Sequence, residues 1–116
     1  MGEFREVMKA DELEAGKLKA VALAGQELLL AKVEGSYYAA RNRCPHMGAR
    51  LSEGTLDGTV VTCPRHGSQF DLATGQVVRW LKGSGVVSAL GKMLKSPQLL
   101  EVYQVKVDGG RVMVEI

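Results

Sequence analysis

All of the cysteine and histidine in this chain lies in two short stretches, "RCPHMGARL" (43 to 51) and "CPRHGSQFD" (63 to 71). Each stretch holds one of each type, Cys44 with His46 and Cys63 with His66, and each places a proline directly after its cysteine. Sixteen residues separate His46 from Cys63. Any site that uses both pairs therefore obliges the chain to bring two separate loops together.

Taken singly, a histidine is ordinarily a surface or satisfied core residue, and a cysteine packs as a small hydrophobe. That ordinary reading needs all four to fall by accident into matched pairs. A nucleophilic Cys-His couple explains one pair and leaves the other idle. One disulfide is the remaining use of two cysteines, but in a reducing compartment a cysteine beside a histidine is more often a ligand. Structural zinc is a stronger rival, yet zinc knuckles usually draw Cys-x-x-Cys from one loop, whereas each loop here is mixed. Mixed loops make most sense where a metal site has two ends, one taking both sulfurs and the other both imidazoles.

The surroundings of the loops read as β structure. "KLKAVALAG" (17 to 25), "QELLLAKVEG" (26 to 35) and "SYYAARNR" (36 to 43) predict an antiparallel meander, with one turn at Gly25-Gln26 and the next at Glu34-Gly35. "GTVVTC" (58 to 63), "SQFDL" (68 to 72) and "GQVVRWL" (75 to 81) predict three short strands, the last two joined by a turn at Ala73-Thr74-Gly75. "LLEVYQVKV" and "RVMVEI" alternate in period two around Asp108-Gly109-Gly110, a strong hairpin signal. One segment departs from this pattern. Over 83 to 97, Val86, Val87, Leu90, Met93 and Leu94 share a helical face, with Ser84 as N-cap and Pro97 beyond the end. A short amphipathic helix is expected there, weakened by about 1 kcal/mol at Gly91.

"CPHMGARLSEG" followed by "CPRHGSQFDLATG" closely resembles the two cluster-binding loops of Rieske-type ferredoxins, the electron carriers of bacterial ring-hydroxylating oxygenase systems. The resemblance is detailed over about Tyr37 to Val78, including Gly48, Gly54, the His66-Gly67 step and the tail Phe70-Asp71-x-x-Thr74-Gly75. It implies an all-β Rieske-like fold of antiparallel sheets, a single domain over 1–116 with a cluster-binding subdomain at about 42–78. It also implies one [2Fe-2S] cluster, with Cys44 and Cys63 on one iron and His46 and His66 on the other. Replacing two thiolates by neutral imidazoles makes the oxidised cluster less negative, so an added electron meets less repulsion. Rieske potentials accordingly lie at about −150 to +300 mV, above roughly −400 mV for plant-type four-cysteine clusters.

Neighbouring residues narrow the class that the resemblance implies. Rieske proteins of bc-type complexes brace the cluster with a disulfide, whose two positions are here Ala49 and Arg65. Those proteins also donate hydrogen bonds to cluster sulfurs from a serine and a tyrosine; here the serine is kept as Ser68 and the tyrosine position is Phe70. One such bond is lost, so a potential below the quinol-oxidising members is expected. Asp71 and Thr74-Gly75 are read as closing a turn, and Trp80, Tyr37 and Tyr38 as core or sheet-face residues.

The implied partners are proteins, a reductase and a terminal oxygenase or other oxidoreductase. A Rieske-like small subunit of a larger oxidoreductase, such as nitrite reductase, is the alternative; a structural-zinc binding module is the second. No enzyme activity is expected, because the recognisable chemistry is absorbed by the cluster. Between Arg41 and Lys82 six basic residues (Arg41, Arg43, Arg50, Arg65, Arg79, Lys82) face three acids (Glu53, Asp57, Asp71), a surround that could steer an acidic partner. Overall the net charge is only +2, which does not suggest nucleic acid. No run approaches the roughly 18 apolar residues of a membrane span, and the amino-terminal stretch has no apolar core. A cytoplasmic monomer without a membrane partner is expected, the segment 79 to 100 either packing on the core or docking a partner.

Overall fold

The unbroken apolar run Leu28-Leu29-Leu30-Ala31 sets the layering of the molecule. A half-buried strand would alternate apolar and polar residues, whereas a continuous run suits a strand buried on both faces. In the computed structural model, which describes residues 3–23, 25–45, 48–65, 67–79 and 99–116, these four residues are each 0% exposed. Leu28 and Leu30 point into one core with Met8, Leu13, Ala39, Val112 and Val114. Leu29 and Ala31 point into the other, with Ala40, Leu51, Val61, Phe70, Leu72, Leu100 and both cysteines.

All strand pairing among the described residues is antiparallel. The middle layer is built from β2 (Leu18–Leu23), β3 (Gln26–Val33), β4 (Ser36–Arg41) and β9 (Val102–Tyr103), in the order β2-β3-β4-β9. One face is covered by β1 (Phe4–Lys9), β10 (Val105–Asp108) and β11 (Arg111–Glu115), ordered β1-β11-β10. A third sheet, β5 (Thr55–Asp57), β6 (Val60–Thr62), β7 (Gln69–Asp71) and β8 (Val77–Arg79), runs as a simple meander. Its Val61 and Phe70 pair across β6 and β7 and pack into the second core.

The predicted meander is present, with Leu23 opposite Gln26 and Val33 opposite Ser36. Gln26 opens β3 instead of standing in the turn. The terminal hairpin closes with Asp108 opposite Arg111. Two strands escaped the sequence reading. β1 carries charges at Arg5, Glu6 and Lys9 on an open face and buries Met8 alone fully, so its apolar signal is thin. β5 is three residues long and exposed on both sides of Leu56.

The run 99–107, read as one strand, serves two sheets. β9 pairs with β4 and β10 with β11, the change of sheet falling at Gln104, whose carbonyl accepts from Glu115 N–H at 2.9 Å. The helix expected over 83 to 97 lies outside the described residues.

Candidate metal centre

The two loops close in the same way. After β4 the chain passes Asn42 and Arg43 to Cys44, whose N–H donates to the Ala49 carbonyl at 2.8 Å while Gly48 N–H donates to the Cys44 carbonyl at 2.8 Å. After β6, Cys63 N–H donates to the Ser68 carbonyl at 2.7 Å and Gly67 N–H to the Cys63 carbonyl at 3.2 Å. Each ring thus spans six residues, from the cysteine to Ala49 or Ser68. Gly48 at φ 75° and Gly67 at φ 73° occupy the fifth place in each, where the chain turns through the left-handed region that favours glycine. Sequence spacing hides this repeat, because His46 is third in its ring and His66 fourth in the other.

Cys44 and Cys63 are buried thiols, each 2% exposed, in one apolar cluster. Ser68 is fully buried beside them in sequence and Phe70 fully buried on β7. The structure therefore brings Cys44 and Cys63 into one core, with Ser68 joined to Cys63 through its carbonyl; His46 and His66 lie outside the described residues. Of the two positions that carry a bracing cysteine in bc-type proteins, Ala49 is half-buried and Arg65 exposed.

Several interactions that the sequence did not reveal fix these loops. Asn42, fully buried, donates to Glu27 Oε1 at 3.0 Å and Ser52 Oγ at 2.8 Å, and its Oδ1 accepts from Ser52 N–H at 2.8 Å. Arg50 grips Glu27 with a two-point fork, Nε to Oε1 at 2.8 Å and Nη2 to Oε2 at 2.9 Å, and reaches Glu53 at 3.1 Å. Loop 1 is thereby tied back to the start of β3. Loop 2 is tied by Arg79, whose Nε and Nη2 both donate to the Gly67 carbonyl, at 3.1 and 2.9 Å. Asp71 does close a turn: its Oδ1 accepts from Ala73 N–H at 2.9 Å and its carbonyl from Gly75 N–H at 2.7 Å. Tyr37 donates its hydroxyl to the Ala10 carbonyl at 2.8 Å and packs on one core, and Tyr38 packs on the other.

The basic surround is thus smaller than its sequence window suggests. Glu27 neutralises Arg50, and Glu101 stands 3.9 Å from Arg41; both acids lie outside the stretch 41 to 82. Arg79 is committed to a carbonyl, and Lys82 lies outside the described residues. Arg43 and Arg65, both exposed, have no acidic partner within 4 Å among the described residues.

The Arg50 hydrogen bond, aided by its charge and by Asn42, holds the Glu27 carboxyl below its usual range against a smaller desolvation effect. A carboxyl depressed on folding contributes stability above its unfolded pKa, about 4.3 for glutamate, and that contribution is lost as pH falls through the lower folded value. Glu27→Gln should therefore melt below wild type at pH 7, by a small margin because the pair is exposed. The gap should close as the pH is lowered through the acid range, as thermal melts at several pH values would read.

The fit to a metal cluster rests on the donors themselves. Two buried thiols in matched loops of one core suit a soft metal, and thiolates are the protein ligands that hold iron–sulfur clusters. The profile of the Rieske [2Fe-2S] domain matches residues 3–90. The chain belongs to the Rieske [2Fe-2S] family. Members of this family hold one [2Fe-2S] cluster, and the donor set of the chain agrees with that cofactor.

Among its relatives, the ferredoxin component of the naphthalene 1,2-dioxygenase system of Pseudomonas aeruginosa is 34% identical over 105 residues, 90% of this chain and 88% of that protein. The corresponding component from Pseudomonas putida is 34% identical over 113 residues, 96% of this chain and 93% of the relative. The solved ferredoxin of carbazole 1,9a-dioxygenase from Nocardioides aromaticivorans superposes with a TM-score of 0.79 at 26% identity, covering 96% of this chain and 95% of the other. A ferredoxin solved in complex with the oxygenase of carbazole 1,9a-dioxygenase gives 0.77 at 32% identity, covering 97% and 92%. This Rieske protein thus matches carriers of similar length nearly end to end.

Proposed function

We propose that this Rieske protein is a one-electron carrier of a ring-hydroxylating oxygenase system, receiving electrons from a reductase and delivering them to a terminal oxygenase. The observation that carries this reading is the pair of buried thiols in two loops of identical closure. Cys44 and Cys63 would hold one iron, and His46 and His66 the other. When bound, the [2Fe-2S] cluster accepts and returns a single electron. The protein excludes water from the sulfur end with Leu51, Val61, Phe70 and Leu72, which share the core with both cysteines. Residues of about 42–78 act as the cluster-binding unit of a single domain. No group beyond the cluster is assigned substrate chemistry, so the protein is a carrier and not an enzyme, and it works in the cytoplasm. Ser68 adds a hydrogen bond toward the cluster, whereas Phe70 offers none, so the potential lies below that of quinol-oxidising relatives.

The test is the absorption spectrum and the reduced-state paramagnetic spectrum of purified protein, with iron and acid-labile sulfide assays. Two irons and two sulfides per chain, with reduction by one electron, are expected. Zinc in a colourless protein sinks the reading, and stable co-purification with a large catalytic chain replaces it by the subunit alternative.

Docking follows from charge. With Arg50 and Arg41 matched to acids, Arg43 and Arg65 are left to attract an acidic partner to the loops. Arg65→Glu should slow association with the oxygenase by roughly tenfold or more at low salt and much less at high salt, because surface charges steer at long range and are screened. Stopped-flow rates that do not change at low salt would remove Arg65 from the docking face.

A further inference from the structure

The pairing of β7 with β8 contains an irregularity that re-aims one side chain. Phe70 stands opposite Val77, so the regular register would set Gln69 against Val78; instead Gln69 stands opposite Arg79. Val78 is thus an extra residue in β8, and it is 54% exposed. Bulges of this kind recur beside functional sites, where they redirect a neighbouring side chain. Here the redirected residue is Arg79, which lands with both Nε and Nη2 on the Gly67 carbonyl.

That carbonyl belongs to the ring that closes loop 2, one residue after His66. Gly67 N–H is already held by the Cys63 carbonyl, and the Ser68 carbonyl by Cys63 N–H. Arg79 therefore restrains the remaining polar group of Gly67, and it does so with a fixed positive charge. Arg79 lines the same groove as Cys63, Pro64, Arg65 and Glu53, whose carboxylate is held by Arg50 at 3.1 Å, and it is only partly exposed, so solvent does not screen it fully. Among the described residues no carboxylate lies within salt-bridge distance of it.

We propose that Arg79 is a positioning residue that clamps loop 2 and whose charge raises the reduction potential of the site. The proposal rests on the cluster assignment above. An electron arriving at the site adds negative charge, and a nearby cation stabilises the reduced state more than the oxidised one. The clamp to the Gly67 carbonyl keeps that charge at a fixed place beside loop 2.

The experiment uses the cluster-loaded protein. Iron and sulfide content of the wild type is measured first, since their absence would overturn the cluster assignment and not this proposal. Midpoint potentials of wild type, Arg79→Gln and Arg79→Lys are then compared by optical redox titration. In Arg79→Gln the reduced-to-oxidised ratio at a fixed potential should fall by roughly tenfold, about 59 mV for a one-electron couple. Arg79→Lys, which keeps the charge, should stay within about twofold of wild type. An unchanged midpoint in a fully loaded Arg79→Gln overturns the proposal, as does an equal fall in both variants. If Arg79→Gln takes up no cluster, Arg79→Lys decides: a loaded protein with the wild-type midpoint supports the charge effect, and a tenfold displacement overturns it.

Discussion

Replacing Cys63 by serine should give a protein that purifies without colour and without a reduced-state paramagnetic signal. Serine is close to cysteine in size, and the position is 2% exposed within a packed cluster of apolar residues. The β scaffold should therefore persist, while the thiolate that a soft iron site requires is gone. Loss of outer hydrogen-bond partners alone costs 10- to 100-fold in metal affinity or activity. Loss of a ligand should accordingly lower electron delivery by more than about 100-fold, measured as reduction of a terminal oxygenase by reductase through the variant. Circular dichroism separates this outcome from misfolding: an unchanged β spectrum with no cluster assigns the residue to the site. A variant that retains full cluster content would remove Cys63 from the ligand set.

Gly54→Ala should be strongly damaging although it touches no ligand. Its φ of −88° is open to any residue, so backbone strain is not the reason. Space is: a Cβ there would overlap the Thr62 carbonyl oxygen and stand 3.1 Å from its carbon. Both atoms are main chain, and Thr62 immediately precedes Cys63, so β6 can make room only by moving the start of loop 2. Overpacking of this kind costs 1–3 kcal/mol and occasionally more, and a clash with backbone belongs at the upper end, about 3 kcal/mol. For a chain of this size that is a fall of roughly 10 °C or more in melting temperature, accompanied by faster loss of the cluster to a chelator. Gly35→Ala is the control. Nothing lies within 4 Å of its Cβ and its φ is not positive, so it should be neutral or stabilising by up to about 1 kcal/mol.

The ligand loops were legible because their chemistry is local: two rare residue types, proline after each cysteine and glycine at the turn all sit within a few positions. The meander of β2, β3 and β4 was legible for the same reason, since hairpin turns and apolar runs are read in one window. What a window does not show is where distant residues arrive. Glu27 and Asn42 lie upstream of loop 1, and only the return of the chain after loop 1 sets Arg50 and Ser52 against them. Glu27 and Glu101 thereby cancel charges that the stretch 41 to 82 presents as surplus. The Arg79 clamp was hidden by the bulge at Val78, which shifts the register by one residue after a regular start. From Leu100 to Val107 the alternation is interrupted once, at the apolar pair Val102-Tyr103 just before the change of sheet, too slight a mark to read as the end of a strand.

The pairing of β1 with β11 has a consequence for the timing of folding. Phe4 stands opposite Glu115, and the two ends exchange further bonds between Glu3 and Ile116 at 3.2 and 3.1 Å. A contact of such long sequence separation forms slowly, since the loop entropy comes due before the contact rewards it. During synthesis β1 is made before β11 and must wait for it, while both cysteine-bearing loops, which lie between them in sequence, are already made. Met8 and the outer face of β3, with Leu28 and Leu30, remain uncovered through that interval. The nascent chain therefore has its cysteine-bearing loops before it has its closed body, and the interval before β11 docks is when it most needs protection from aggregation.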